Sequence, residues 1–266
     1  MEVGFIISER YKKSAYPWNV VRLCRNKGHE VQVIVPEKLA DDLEEIDLTC
    51  DIYIHRNHTV KGLKLLKLAE KSARVFNSYE SVMSCQDKIV LQGKLEKTSL
   101  LVPKMLKGDL WDLDENEFPI IIKPQYGNNG KDITVLKRKE SLQYVNKRFN
   151  DRFFVQKYVE NKGYDIKLYC IDKEVFAVKK KSPIHPEVTV TEKLIPCTPE
   201  MRRIANVCSE ILNLKVFGVD TVMSESGEFY VIEVNECSGF RKVPNLANRI
   251  YDVIVTNLDR GTYERY

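Results

Sequence analysis

The sequence predicts an α/β chain that turns α+β in its second part. Over residues 1–80, short apolar runs alternate with amphipathic segments at helical spacing, the pattern of a small parallel sheet. From residue 117 onward the apolar runs come in pairs joined by glycine-containing turns, the pattern of antiparallel hairpins. A length of 266 residues leaves room for one or two domains with a real core.

The first part is read element by element. Residues 3–8 form an apolar strand. A helix over 15–27 carries Val20, Val21 and Cys24 inward and stops at Gly28. A valine-rich strand over 30–35 ends at Pro36, and 51–55 is another apolar strand. A helix over 61–71 turns Leu65, Leu66, Leu68 and Ala69 inward and its lysines outward. A short strand follows at 74–76, giving a β-α-β order and hence parallel pairing. Residues 78–105 read as helical until Pro103.

Beyond that point, strands over 118–123 and 132–136 flank a Gly/Asn turn at 127–130. Further strands cover 153–158, 165–171 and 174–179. A helix over 198–212 has Thr198 as its cap and Pro199 at its first position. Strands over 218–223 and 229–234 form a closing hairpin across Ser226-Gly227, and the tail from Arg260 is polar.

Composition excludes several classes. Hydrophobic residues at 43% and charged residues at 30% describe a globular chain rather than a disordered one. No apolar run approaches the roughly 18–20 residues of a membrane span. The apolar stretch near the start follows an acid and precedes no small-residue cleavage site, so it reads as a strand rather than a signal peptide. Seven cysteines, an odd number without a CxxC pair, and four histidines that do not pair with cysteines at metal spacing argue against zinc and against a disulfide framework. They point to a reducing cytoplasm. A net charge of +4 neither demands nor excludes nucleic acid and suits a cleft for anionic ligands about as well, and no aromatic-interleaved single-strand platform supports nucleic acid.

Asp220, Glu233 and Asn235 are the first chemical candidates. The hairpin that separates the two acids can bring them side by side, and Glu233 and Asn235, two apart on a strand, share a face. Two carboxylates and an amide oxygen suit Mg²⁺, which takes its remaining oxygens from phosphate and water. Read alone, the same residues serve equally well as solvated acids of an edge strand. Lys123 ends a buried strand, where its charge needs a partner, and the Gly127–Gly130 turn can aim backbone N–H groups at phosphate. Without further context, that turn is also an ordinary surface hairpin. Lys88 reads alone as a helix-surface lysine. Gln156-Lys157-Tyr158-Val159 follows an apolar strand and can present backbone groups to adenine, or simply end the strand.

Lys180 and Lys181 close another strand, and Arg241 follows the acid cluster. Basic groups there can neutralise phosphate or anchor an acid, or form a solvated patch. His55, Arg56, Asn57 and His58 sit just past a parallel strand, where open α/β sheets bind ligands, and are candidate substrate contacts. Cys237 has no base beside it and reads as packing.

Taken in order, these segments resemble the ATP-grasp superfamily, and within it the RimK-like carboxylate–amine ligase branch. Residues 77–88 and 102–103 are similar to the entry of its ATP-binding domain, with Lys88 as the first ATP lysine. Residues 119–124, with Gly127 and Gly130, resemble the second lysine and its glycine-rich loop. Residues 155–159 resemble the adenine hinge. Gly163-Tyr164-Asp165-Ile166-Lys167 resembles the Gly-x-Asp-x-Arg strand, with Lys167 where arginine is usual. Gly218-Val219-Asp220 and Glu233-Val234-Asn235 resemble the metal pair and its asparagine.

The resemblance implies an N-terminal parallel α/β domain over 1–80 and an ATP-grasp domain over 81–266. The latter divides into a lid subdomain at about 105–158 and an antiparallel metal-binding part at about 159–260. It implies ATP as cofactor, held also by Lys162 and Asp165, with two Mg²⁺ ions or Mn²⁺ in their place. It implies an acyl phosphate made from a small-molecule or peptide carboxylate and attacked by an amine, with ADP and phosphate released. Lys180 and Lys181 stand where the branch carries substrate-facing arginines, and lysine lacks the bidentate fork. Homo-oligomers are common in the superfamily. Two other readings stay open from sequence: a small-molecule kinase of the same fold, suggested by Gly239-Phe240-Arg241, and an ATP-binding regulatory protein without turnover.

Overall fold

The computed structural model describes residues 1–43, 45–127, 133–145 and 153–259. The first sheet has the order β2-β1-β3-β4 and is wholly parallel, as the alternating pattern predicts. Its strands are β1 (Glu2–Ile7), β2 (Glu30–Ile34), β3 (Ile52–Arg56) and β4 (Arg74–Phe76), interleaved with the helices α1 (Ala15–Asn26) and α2 (Val60–Ala69). Every residue of β3 is buried, as befits a central strand covered on both faces.

The sequence reading made 78–105 helical until Pro103. The structure instead has α3 (Tyr79–Gln86) and α4 (Lys88–Leu95), and no helix between Leu95 and Pro103. The break falls at Asp87, whose backbone is extended and whose carboxylate accepts from the N–H groups of Ile89 and Val90. An aspartate caps a new helix more readily than it continues an old one.

A second sheet, ordered β5-β8-β6-β7, is antiparallel. It joins β6 (Ile120–Pro124) and β7 (Thr134–Leu136), the hairpin read from sequence, to β8 (Phe153–Lys157) and the short β5 (Met105–Leu106). The third sheet runs β11-β10-β9-β12-β13. Its strands are β9 (Asn161–Ile171), β10 (Glu174–Lys181), β11 (Lys193–Ile195), β12 (Val216–Ser224) and β13 (Phe229–Asn235). The helix α5 (Pro199–Leu212) starts at its Thr198 cap and packs with α4 on the apolar face of this sheet.

Sequence reading missed the helix α6 (Leu246–Asp259). Its Ile250, Val253 and Ile254 pack with Val20, Val21 and Cys24 of α1, and the same cluster reaches Tyr169 and Phe240. One apolar core thus joins the parallel sheet to the third sheet and holds a cleft between them. Among the described residues, no helix is long and apolar enough to cross a membrane.

Candidate active site

The polar face of the third sheet lines a cleft of about 1540 Å³, closed on its other sides by the second sheet and by the carboxyl ends of the parallel strands. Strand register sets the side chains in rows. Asp220 of β12 pairs with Lys167 of β9 on one side and with Glu233 of β13 on the other. On one side of this row Lys180 of β10 pairs with Asp165 of β9, and on the other side Gly218 of β12 pairs with Asn235 of β13. A register shift at Asp220/Thr221 interrupts the ladder beside the two acids, a place where bulges re-aim side chains.

The acids are held by lysines. Asp220 lies 2.7 Å from Lys167 Nζ and 3.0 Å from Lys180 Nζ, and it accepts from Asn235 Nδ2 at 2.7 Å. Burial raises the Asp220 pKa, but Lys167 and Lys180 outweigh it and hold the carboxyl at about 2. Asp165, 3.7 Å from Lys180, goes the other way: burial lifts it to about 6 against the pull of Lys180. Burial also lowers the Lys180 pKa, but Asp220 and Asp165 carry it above its ordinary value, so it is a fixed cation. Glu233 meets Lys88 at 3.6 Å.

The second sheet supplies the opposite wall. Lys123, at the end of β6, is 6% exposed and donates to Gln156 Oε1 at 3.0 Å. Burial lowers its pKa to about 8, with Lys88 adding to the effect. Gln156 in turn donates to Gln92, and Gln92 donates to Pro103 O, each at 2.8 Å. Lys88 Nζ donates to Gly127 O at 2.6 Å, which seats the lysine at the start of the glycine turn. Gly130 lies outside the described residues.

The Lys157 N–H donates to Lys104 O and the Tyr158 N–H to Pro119 O. Among the described residues, no acceptor takes the Val159 N–H, which makes it the free amide of that segment. Tyr158 O–H meets His185 Nε2 at 2.7 Å.

The remaining expected residues divide. Lys181 and Arg241 line the cleft; Lys181 donates to Pro186 O, and Arg241 lies 3.9 Å from Glu192. Lys162 is exposed and away from it. His55 and Arg56 prove to be the last two residues of β3; of the cluster, Arg56 reaches the cleft, whereas His55, Asn57 and His58 are packed behind it. Asn57 accepts from Thr59, and His58 faces Glu236 at 3.2 Å. Burial pushes the His55 pKa down to about 3, so that ring stays neutral. Sequence reasoning missed Arg10, Tyr11, Tyr16 and Ser182 on the cleft wall. It also read Lys167 only as a replaced arginine; the signal was its strand, which places it beside Asp220.

The donor set fits a magnesium-bound nucleotide. Asp220, Glu233 and Asn235 offer hard oxygen ligands on one sheet face, and lysine ammonium groups stand at both carboxylates where a cation would sit. No cluster of three His, Cys, Asp or Glu side chains exists among the described residues, so phosphate and water must complete the shell.

This fold and cleft define an ATP-grasp enzyme. The model of the RimK-like ATP-grasp domain matches residues 87–254, and the chain belongs to that family. It is 25% identical to the coenzyme gamma-F420-2:alpha-L-glutamate ligase of Methanococcus maripaludis, over 68% of this chain and 69% of that one. It is 24% identical to a probable alpha-L-glutamate ligase of Cellvibrio japonicus, over 91% of this chain and 90% of that one. In fold it resembles the ATP-grasp ligase PsnB solved with a minimal precursor, Mg and ADP, at a TM-score of 0.71 and 16% identity, covering 97% of each chain. The chain is an ATP-dependent carboxylate–amine ligase.

Proposed function

We propose that this ligase activates a small-molecule or peptide carboxylate with ATP and joins it to the amine of an α-amino acid, as the names of its glutamate-ligase relatives suggest. The observation that carries the reading is the Lys167–Asp220–Glu233 row, with Lys180 shared between Asp220 and Asp165. Lys88 and Lys123, with Gly127, steady the phosphates, and the segment from Gln156 to Val159 takes adenine through the free Val159 amide. Asp220, Glu233 and Asn235 would hold Mg²⁺, which would neutralise phosphate charge. Lys167 and Lys180 fix Asp220 as a carboxylate. Lys180, Lys181 and Arg241 draw the acid substrate to the γ-phosphate end, where its oxygen attacks the γ-phosphorus and expels ADP, and the amine then attacks the acyl carbon, loses a proton and expels phosphate.

In this reading residues 1–80 form a substrate-facing domain and the rest the ATP-grasp domain. The seven unpaired cysteines suit a reducing cytoplasm.

The test is ADP release by the purified chain with Mg²⁺ and ATP across a panel of carboxylates and amino acids. The expected result is release that needs both an acid and an amine, with ¹⁸O from the labelled carboxylate recovered in phosphate. Phosphate retained on an alcohol would make the chain a kinase and overturn the reading.

A further inference from the structure

The parallel sheet brings two arginines to the cleft that the ATP chemistry does not use. Arg56 ends β3, and Arg10 lies just past β1, at the carboxyl ends of adjacent strands. Arg56 is 5% exposed. Its Nη1 donates to the backbone carbonyls of Cys237 and Ser238, and its Nε has no hydrogen-bond partner among the described residues. Its guanidinium carbon stands 4.2 Å from the ring centre of Tyr11 and 4.5 Å from that of Tyr16. The Arg10 guanidinium carbon stands 4.8 Å from the same Tyr11 ring.

Neither arginine meets a carboxylate among the described residues. The acidic protons nearby give no compensation either. Burial raises Tyr11 and Tyr16 to about 12, so both are neutral at pH 7. A buried guanidinium without a counter-charge is costly, and the cost is recovered when an anion arrives. The planar fork suits a carboxylate, and the tyrosine rings hold the fork in place.

We propose that Arg10 and Arg56, spaced by Tyr11, form the subsite that reads the free carboxylate of the amino acid whose amine is joined. This rests on the ligase reading above. The reacting acid belongs at the Lys180 end, against phosphate; the arginines line the same cleft from the carboxyl ends of the parallel strands. An amino acid places its amine within two bonds of a carboxylate, so one anchor aims the nucleophile.

The test uses the full chain with its acid substrate and compares, as amines, L-glutamate with its α-amide and L-alanine with alaninamide. The wild-type chain is expected to prefer the free acids by about 100-fold or more in kcat/KM. Arg10→Ala, on an exposed side chain without hydrogen bonds to lose, should cut that preference about tenfold through the KM of the amine, with the KM of ATP within about twofold. Arg56→Lys, which keeps the charge and loses the fork, should also cut it. An α-amide used as well as the acid, or an Arg10→Ala variant with the full preference, overturns the subsite. Absence of ADP release with every amino acid instead overturns the ligase reading, and the subsite with it.

Discussion

Lys180 Nζ lies 3.0 Å from Asp220 Oδ1, and the same ammonium reaches Asp165 at 3.7 Å. One cation therefore serves two buried acids, one held ionised and one pushed toward protonation. Lys180→Met should leave Asp165 unpaired while Lys167 still neutralises Asp220. Removing one partner of a fully buried pair costs roughly 3–5 kcal/mol, and the retained Lys167 contact reduces that to about 2 kcal/mol here. Thermal unfolding should drop by about 4–8 °C for a chain of this size, and ADP release should fall at least about 100-fold.

Lys123 gives a pH dependence with a definite sign. Its free-enzyme pKa is about 8, below the ordinary lysine value, because burial disfavours the ammonium. Phosphate is drawn to the charged form, so kcat/KM for ATP should hold below pH 7 and decline as pH rises through about 8. Lys123→Arg, charged throughout, should flatten that limb. Stability moves the other way: between about 8 and 10.5 the unfolded chain binds the extra proton, so this group makes folding more favourable as pH rises.

Gln92 touches no substrate in this account, yet it holds Gln156, which holds Lys123. Gln92→Leu should strand the Gln156 amide at a cost of about 1–3 kcal/mol. The KM of ATP should rise by about tenfold, about 1.4 kcal/mol and so about half or more of that energy, and steady-state kinetics at saturating amine would show it.

Gly218 lies across from Asn235, and a Cβ there would come within 2.2 Å of Ser238 Oγ and 2.9 Å of Lys167 Cε. Gly218→Ala should push Lys167 from Asp220 and destabilise the chain by about 1–3 kcal/mol. A fall in both unfolding midpoint and ADP release is the expected outcome; normal values for both would show that the strand has slack.

Much of this was legible in the sequence. The parallel sheet followed from alternation, and the facing of Asp220 and Glu233 followed from a turn placed midway between them. The break at Asp87 was hidden because helical periodicity runs on through it and only the cap marks the stop. Helix α6 showed a 4,3,1 spacing at Leu246, Ile250, Val253 and Ile254, and Asn245, a residue type that caps helices, stands just before it, so this start was legible and was missed. The cluster at the end of β3 was read as one unit. Burial of that strand on both faces leaves only the long Arg56 able to reach the cleft.

The central claim is that Asp220 and Glu233 hold a magnesium-bound nucleotide, and Glu233→Gln tests it most directly. The substitution keeps the shape of the side chain and forfeits only a partly exposed 3.6 Å contact with Lys88, so the unfolding midpoint should shift little. ADP release, measured with the substrate pair found by the panel and at saturating Mg²⁺ and ATP, should fall by about 1000-fold or more. Full ADP release from a folded Glu233→Gln chain would contradict the account.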